Sequence, residues 1–418
     1  MAFPRDVAQK FLAVRGAGSQ AIFLAGSTGI AQVVVAFIYI YTASMSQPAA
    51  YGRVVAAIAL GLTAVGYLDF GANALWVRER ANGQMSSVEL GERTSNKVLA
   101  SLVVSGCGAL ALLIILPGTD YWIAAPICTL QVINQLTQVP LRALALADRV
   151  SLSVVGDRIV AASALAVQIG LGVQPTTALW ISLCMGVTFA SAANVLLTPR
   201  EGRIRLSFSW RANPWRGSKH YGIYSIATGS QGLDISILAG VGGAGMAGLY
   251  GAVSKWTQPL GLLSAAYSSA STPFVARARN WREARPHIVG TLWMPGLAML
   301  ACVAVAVSAP LLVVLLLGDK YIGAIPVLQI LAIGTIPAIA NQPLAVFLQA
   351  LGYDKLVAMC VSIAVLVQLG TLFFTVRVAG AAGGAISFAL MQFGLCVVLS
   401  VFFLRRTRLV DTEMGDAG

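Results

Sequence analysis

The amino-acid sequence predicts an all-α integral membrane protein with twelve transmembrane helices, in two six-helix lobes related by a parallel pseudo-two-fold repeat. The first observation is composition: 57% of the 418 residues are hydrophobic, 11% are charged, and the mean hydropathy is +0.79. A soluble domain typically carries about 25% charged residues, so most of this surface must face lipid. The other two observations are the distribution of basic residues and an internal repeat.

Runs of about 20 apolar residues are long enough to cross the hydrocarbon core as helices. Twelve such runs follow one another, at residues 18–42, 49–73, 98–117, 121–144, 150–172, 176–198, 219–240, 246–270, 288–317, 322–350, 354–376 and 380–404. They divide the chain into an amphipathic cytoplasmic segment over 1–17, a first lobe over 18–198, a basic linker over 199–218, a second lobe over 219–404 and a tail over 405–418.

The basic residues predict the orientation. Of the 28 lysines and arginines, all but Arg53, Lys255, Lys320 and Arg377 fall on the side of the membrane that carries both termini. Cytoplasmic loops of membrane proteins carry the excess of lysine and arginine, so both termini are predicted to be cytoplasmic. The loops on the opposite side are short, which argues against a membrane polymerase or a glycosyltransferase with a large outer domain.

The two halves of the chain resemble each other at a fixed offset. Tyr51-Gly52 opens the second span and Tyr250-Gly251 opens the eighth, 199 residues later; Trp122 and Tyr321 differ by the same number. Both halves start on the same side of the membrane, so the repeat is parallel. Two similar bundles around a central cavity favour a transporter that works by alternating access over a passive scaffold or a channel.

The fourth predicted span carries a polar stripe on one helix face: Gln131, Asn134, Gln135, Gln138 and Arg142. A single amide in a membrane helix commonly bonds a neighbouring helix. Four amides on one face favour a water-filled cavity, and the stripe is therefore predicted to bind substrate. Hydrogen bonding between helices is the alternative.

The seventh span continues a polar stripe, formed by Tyr224, Thr228 and Gln231, to Asp234. The eighth places Lys255 and Gln258 on one side. A carboxylate at the centre of a membrane helix costs roughly 2.5–3.5 kcal/mol, so Asp234 must face a lumen or a partner. Two interpretations stay open: a structural ion pair with Lys255, or a cation or proton site at Asp234 beside a substrate-anion site at Lys255.

Two charges of the second span are further candidates. Arg53 lies near the outer end and is predicted either to reach the outer headgroups or to bind substrate in the lumen. Asp69 lies near the inner end and is predicted either to couple an ion or to pair with Arg78 or Arg80.

Motifs of soluble enzymes are missing from the sequence. It contains no phosphate-binding loop of the G-x-x-x-x-G-K-[ST] type and no G-x-S-x-G, and its two histidines, His220 and His287, lie at predicted loop edges. All six cysteines lie in apolar runs and are interpreted as small buried hydrophobes. The sequence therefore predicts no enzyme, metal site or cofactor.

The run from Leu233 to Ala278 resembles polysaccharide flippases of the Wzx type, which transport O-antigen and exopolysaccharide repeat units. The resemblance rests on Asp234 in a helix, a turn of small residues, Gly248-Leu249-Tyr250, and Pro273 followed by Arg277. In the first half, the segment that begins at Tyr51 looks similar to the matching segment of these flippases. The chain is thereby identified as a member of the multidrug/oligosaccharidyl-lipid/polysaccharide (MOP) superfamily.

The resemblance implies a twelve-helix protein of the bacterial cytoplasmic (inner) membrane. It would move an undecaprenyl-diphosphate-linked oligosaccharide to the outer leaflet for surface polysaccharide assembly, driven by an H⁺ or Na⁺ gradient. Basic lumen residues would hold the diphosphate, amides would hold sugar hydroxyls, and Asp234 would couple the ion. A polysaccharide polymerase complex is an expected partner; nucleic acid is not. The alternatives are a multidrug or cation antiporter of the same superfamily and a non-transporting partner in a polysaccharide assembly complex.

Overall fold

The structure is a computed structural model that describes residues 17–264, 267–268, 292–350 and 353–415. Throughout these residues the backbone forms α-helices joined by turns and short 3-10 segments, without a β-strand, and the predicted all-helical class is confirmed. The helices before the linker are α1 (Ala17–Met45), α2 (Pro48–Asp69), α3 (Ala72–Ala81), α4 (Ser87–Ile115), α5 (Ala124–Ala143), α6 (Ala147–Gly170) and α7 (Pro175–Leu197). Those after it are α8 (Lys219–Ser230), α9 (Leu233–Gly242), α10 (Ala244–Ser254), α11 (Trp293–Leu317), α12 (Ile325–Ala350), α13 (Asp354–Ala379) and α14 (Ala381–Gly415).

Local sequence signals set several helix ends. Ser86 caps α4, since its side chain accepts a hydrogen bond from the amide of Glu89 at 3.1 Å. Pro175 occupies the first position of α7, where its missing N–H costs no helical hydrogen bond. Gly318 ends α11 with a φ of 82°, a conformation that glycine adopts without strain.

Nine helical segments of the described residues are long and apolar enough to cross a membrane. They are Gly26–Met45, Pro48–Asp69, Ser87–Ile115, Ala147–Gly170, Pro175–Leu197, Trp293–Leu317, Asp319–Gln349, Lys355–Ala379 and Ala381–Arg405. Three predicted spans are not in this set, and each has a physical reason. Helix α5 replaces the predicted span 121–144 but carries four amides, which lower its hydropathy. The predicted spans 219–240 and 246–270 are interrupted helices.

The chain forms two compact units. Unit 1 contains α1 up to Ile38 and residues Gly61–Ile226; unit 2 contains Tyr39–Leu60 and the residues from Ala227 onward. The division therefore passes through α1, α2 and α8. It differs from the lobes predicted from the sequence, because the hairpin formed by Tyr39–Leu60 belongs to unit 2.

A close helix crossing explains the place of that hairpin in unit 2. A Cβ atom added to Gly52 of α2 would collide with the carbonyl oxygen of Ala244 in α10. A Cβ atom added to Gly248 of α10 would collide with the carbonyl oxygen of Pro48. Glycines let two membrane helices approach to backbone contact, so this crossing joins α2 to α10.

Unit 1 has its apolar core where α2, α3, α4 and α5 meet, around the fully buried Trp76. A sharp turn between α2 and α3 directs the chain into this core. Phe70 and Gly71 have positive φ values of 46° and 67°, which end α2 and start α3. A Cβ atom on Gly71 would lie within 2.4 Å of the side chain of Tyr221. The predicted span 49–73 therefore stops at Asp69.

The offset of the repeat appears in the backbone. The 3-10 segments Asp120–Ile123 and Asp319–Ala324 begin 199 residues apart, the same offset as between Tyr51 and Tyr250. Both tyrosines are buried, with 0% and 2% of their surface exposed.

Parts of the sequence prediction lie outside the described residues. They are the amphipathic segment 1–17 apart from its last residue, and the basic loop that contains Arg277 and Arg285. Helix α14 continues through the predicted start of the tail at residue 405.

Candidate functional site

Two interrupted helices of unit 2 form the candidate site. Helix α8 ends at Ser230 and α9 begins at Leu233, while α10 ends at Ser254 and is followed by a 3-10 turn over Gln258–Leu260. Gly229 lies just before the first interruption and Gly232 lies within it, and Pro259, which cannot donate a backbone hydrogen bond, lies in the second. Membrane proteins tolerate such irregular backbone where it is buried in protein or lines a cavity.

Asp234 lies in the first turn of α9, next to the first interruption. Its Oδ2 accepts a hydrogen bond from the hydroxyl of Tyr250 at 2.7 Å, and its Oδ1 accepts one from the amide of Ile235 at 2.7 Å. A half-buried carboxylate needs such donors, because desolvation of the charge is costly. The sequence predicted that Asp234 faces a lumen or a partner, and the structure supplies the partner, Tyr250.

Lys255 follows the last residue of α10, and its positive charge favours the negatively charged form of Asp234. A cation is stabilised at a helix C-terminus and an anion at a helix N-terminus, so both charges suit the helix ends that carry them. Lys255 and Gln231 are half-buried and Gln258 is exposed. Asp234, Lys255, Gln231 and Gln258 therefore flank two neighbouring interruptions. Tyr224 and Thr228 belong to α8, where the structure describes only the backbone.

The amide stripe of the fourth predicted span divides between two neighbours. Asn134 and Gln138 are 4% and 6% exposed. The Oδ1 atom of Asn134 accepts hydrogen bonds from Asn194 of α7 at 3.0 Å and from Gln138 at 3.5 Å. These two amides join α5 to α7, an arrangement of the kind that the sequence left open as the alternative, hydrogen bonding between helices.

The other members of the stripe are less enclosed. Gln135 accepts a hydrogen bond from Asn73 of α3 at 3.2 Å, and Gln131 is half-buried. Arg142 is exposed and donates to Gln138 at 2.8 Å. Pro140 lies within the last turn of α5 before Arg142. A substrate role for Gln131 and Arg142 stays a prediction.

Unit 1 holds a charged cluster that the sequence did not reveal. Lys97 of α4 is 1% exposed, and its Nζ lies 2.5 Å from Oδ1 of Asp69 and 3.0 Å from Oδ1 of Asn73. The ammonium also lies 4.9 Å from the centre of the Trp76 ring, within range of a cation–π interaction. The sequence suggested Arg78 or Arg80 as the partner of Asp69. In the structure Asp69 pairs with Lys97 instead.

The predicted alternatives for Asp69 are occupied elsewhere. Arg78 donates to the hydroxyl of Tyr221 at 3.1 Å, and this hydrogen bond raises the pKa of Arg78. Arg80 donates to the carbonyl of Met85 at 2.9 Å and to Ser87 at 2.6 Å.

Two further charges of the membrane helices complete the description. Arg53 is exposed on the second turn of α2, and both predictions for it remain open. Asp157 of α6 is 4% exposed, with one oxygen 3.4 Å from Arg158 and the other without a hydrogen-bond partner among the described residues. The buried carboxylate thus lies beside the basic residue that follows it in the sequence. Within the described residues no group of three or more His, Cys, Asp or Glu side chains could hold a metal ion.

Comparisons with known proteins support the fold. The MatE family profile matches residues 224–374, which include both interruptions. No curated protein matches the chain. Among solved structures, the inward-facing conformation of a multidrug resistance MATE family transporter of the MOP superfamily matches with a TM-score of 0.67 at 16% identity, over 91% of this chain and 96% of the other. A structure described as the outward-facing conformation of a multidrug resistance MATE family transporter matches with a TM-score of 0.58 at 15% identity, over 94% of this chain and 97% of the other.

A third structure comes from Pyrococcus furiosus. It is described as a MOP superfamily transporter in which the reverse polarity of the binding pocket suggests a different function. It matches with a TM-score of 0.55 at 14% identity, over 94% of this chain and 96% of the other. At these identities the similarity establishes the fold, and the Wzx-type assignment within the superfamily stays a prediction. The described residues of the chain therefore share the all-helical fold of the MATE family transporter structures that they match.

Proposed function

We propose that the chain is an alternating-access transporter coupled to an ion gradient, and that the interrupted helices of unit 2 carry its working site. Secondary transporters place substrate and ion sites at discontinuous helices, whose free ends bind charged groups. The observation that carries the proposal is Asp234, held by Tyr250 at the start of α9 and beside Lys255 at the end of α10. Asp234 is the proposed coupling carboxylate: protonation or a bound cation would weaken its hydrogen bond from Tyr250.

The proposed cargo is an undecaprenyl-diphosphate-linked oligosaccharide, moved across the bacterial cytoplasmic membrane for surface polysaccharide assembly. Lys255 would pair with the diphosphate, since an ammonium ion and a phosphate form a strong, charge-assisted hydrogen bond. Gln231 and Gln258 would bond sugar hydroxyls. Asn134 and Gln138 have no part in this proposal, because they bond one another and Asn194. The net charge of +12 suits an anionic cargo, and its distribution supports cytoplasmic termini.

The test is transport by the purified protein in proteoliposomes, with a fluorescent lipid-diphosphate oligosaccharide and a membrane-impermeant quencher. We expect flipping by the wild type under a proton or sodium gradient, at least about tenfold slower flipping by Lys255→Gln and partial activity of Lys255→Arg, because a charged hydrogen bond contributes about 1.5–3 kcal/mol. Lys320→Gln, which removes an exposed lysine in the same unit, is the matched control. Equal rates for Lys255→Gln and the control would refute the site.

A multidrug or cation antiporter is the second candidate. Two of the matching structures are described as multidrug resistance transporters, and Asp234 could pair with a cationic drug. The same proteoliposomes distinguish the two functions. Uptake of a cationic dye that Asp234→Asn abolishes, with no flipping of the lipid diphosphate, would favour the antiporter. Absence of both activities would favour the non-transporting assembly partner.

A further inference from the structure

The segment between α7 and α8 is an unusually basic surface. We call residues 203–216 the basic strap. It carries four exposed arginines, Arg203, Arg205, Arg211 and Arg216. The sequence contains no acidic residue between Glu201 and Asp234, so the basic strap itself carries no negative charge. Four exposed cations in one segment favour an anionic partner.

The strap also exposes large apolar side chains. Leu206, Phe208 and Trp210 are 71%, 50% and 90% exposed. The rings of Phe208 and Trp210 meet edge to face, with centroids 4.9 Å apart. Basic residues interleaved with aromatic and aliphatic ones are typical of segments that lie in the interface between lipid headgroups and acyl chains.

Hydrogen bonds fix the strap to unit 1. The Nδ2 atom of Asn96 donates to the carbonyls of Ser209 at 2.7 Å and Ala212 at 2.6 Å. The indole N–H of Trp215 donates to the carbonyl of Leu68 at 2.9 Å. At Gly91 the strap touches the backbone of α4, because a Cβ atom there would collide with the carbonyl of Arg205. The exposed side chains thus project from a fixed backbone.

We propose that the basic strap binds the anionic phospholipid headgroups of the leaflet at which α7 ends. Guanidinium groups bind lipid phosphates through charge-assisted hydrogen bonds, while Phe208 and Trp210 enter the interface beside them. The apolar side chains make a lipid the partner in place of free phosphate, which offers nothing to cover them. The segment follows α7, which is long and apolar enough to cross a membrane, so its place at the membrane surface does not depend on the cargo. The proposal therefore stands or falls independently of the transport site.

The experiment measures lipid binding to the purified full-length protein by native mass spectrometry, with phosphatidylglycerol as the anionic lipid and phosphatidylcholine as the neutral one. A basic residue near an anionic surface contributes about fivefold to binding. Replacement of all four arginines by glutamine is therefore expected to reduce binding of phosphatidylglycerol by more than about tenfold and to leave phosphatidylcholine unchanged. Replacement of the four arginines by lysine, the charge-matched control, should retain most of the binding.

Two further arms identify the source of the phosphate and the role of the aromatic side chains. Inorganic phosphate should not displace phosphatidylglycerol, and Trp210→Ser, a change at a side chain that is 90% exposed, should weaken lipid binding without changing the elution of the protein on size exclusion. Displacement by inorganic phosphate would overturn the lipid assignment. Equal binding of phosphatidylglycerol by the glutamine variant and the wild type would overturn the proposal itself.

Discussion

Substitution of Lys97 by methionine tests whether the charged cluster of unit 1 is as buried as its geometry indicates. The ammonium of Lys97 lies 2.5 Å from Asp69, and the side chains are 1% and 15% exposed. Removal of one partner of a buried ion pair costs about 3–5 kcal/mol, because the remaining charge is left in a medium of low polarity. In Lys97→Met, the hydrogen-bond donor that the carboxylate of Asp69 keeps among the described residues is the backbone N–H of Asn73, at 3.2 Å.

The assay is the apparent unfolding temperature in detergent, measured at a fixed scan rate because membrane proteins of this size commonly unfold irreversibly. A loss of about 3–5 kcal/mol should lower this temperature by about 5 °C or more. Glu89→Gln is the matched control on the same helix. It removes an i,i+4 partner of Arg93, 2.7 Å away, but Glu89 is 41% exposed, and such a pair contributes only about 0.3–0.5 kcal/mol.

The double variant Asp69→Leu/Lys97→Met separates charge from packing. Replacement of both members of a buried ion pair by apolar residues is commonly neutral or stabilising, so the double variant should recover most of the lost unfolding temperature. If Lys97→Met unfolds at the same temperature as Glu89→Gln, the Asp69–Lys97 ion pair is not shielded from water. If the double variant is as unstable as the single one, the loss comes from packing around Trp76 and not from an uncompensated charge.

Two further predictions concern unit 2. Gly52→Val should destabilise the protein by at least about 1–3 kcal/mol, the range for overpacking, because its side chain would enter the backbone of α10. Gly245→Val, on that helix but in open space, is the control, and equal unfolding temperatures would contradict the crossing. Tyr250→Phe should cost about 1.5–3 kcal/mol, since it removes a hydrogen bond to the carboxylate of Asp234. Tyr51→Phe removes a buried hydroxyl that has no hydrogen-bond partner among the described residues and should be neutral; a larger loss for Tyr51→Phe than for Tyr250→Phe would refute the Asp234 contact.

The sequence sufficed for features that depend on composition. Apolar helices follow from hydropathy, and the offset between Tyr51 and Tyr250 recurs in the backbone. Features that depend on which helices are neighbours were harder to predict. Helical periodicity places Asn134 and Gln138 on one stripe. It does not tell whether the stripe faces water or the side chain of a distant residue, such as Asn194, which lies 60 positions after Asn134.

Differences between the predicted and the observed helix boundaries explain most of the other differences between prediction and structure. The predicted third span starts at residue 98 and therefore leaves Lys97 in a loop. In the structure α4 begins at Ser87. A helix that starts eleven residues earlier carries Lys97 into the core. The interruptions of unit 2 did leave signals in the sequence: Gly229 lies just before the first, Gly232 lies within it, and Pro259 lies in the second. The residues around both interruptions are apolar, so the hydropathy stays high across them. Only the backbone geometry shows that the helices are interrupted.

The charged groups lie where the two halves of the repeat differ. At the offset of 199 residues, Asp234 corresponds to Val35 and Lys255 to Ala56. Helix α2 runs unbroken past Ala56, whereas α10 stops just before Lys255. The first half departs in the same way at Lys97, whose counterpart is Gly296. A duplicated scaffold needs the same apolar and small residues in both halves, so its helices and the buried tyrosines are shared. A site that binds one ion or one headgroup needs charges at a single place, and such charges can arise only by breaking the symmetry of the repeat.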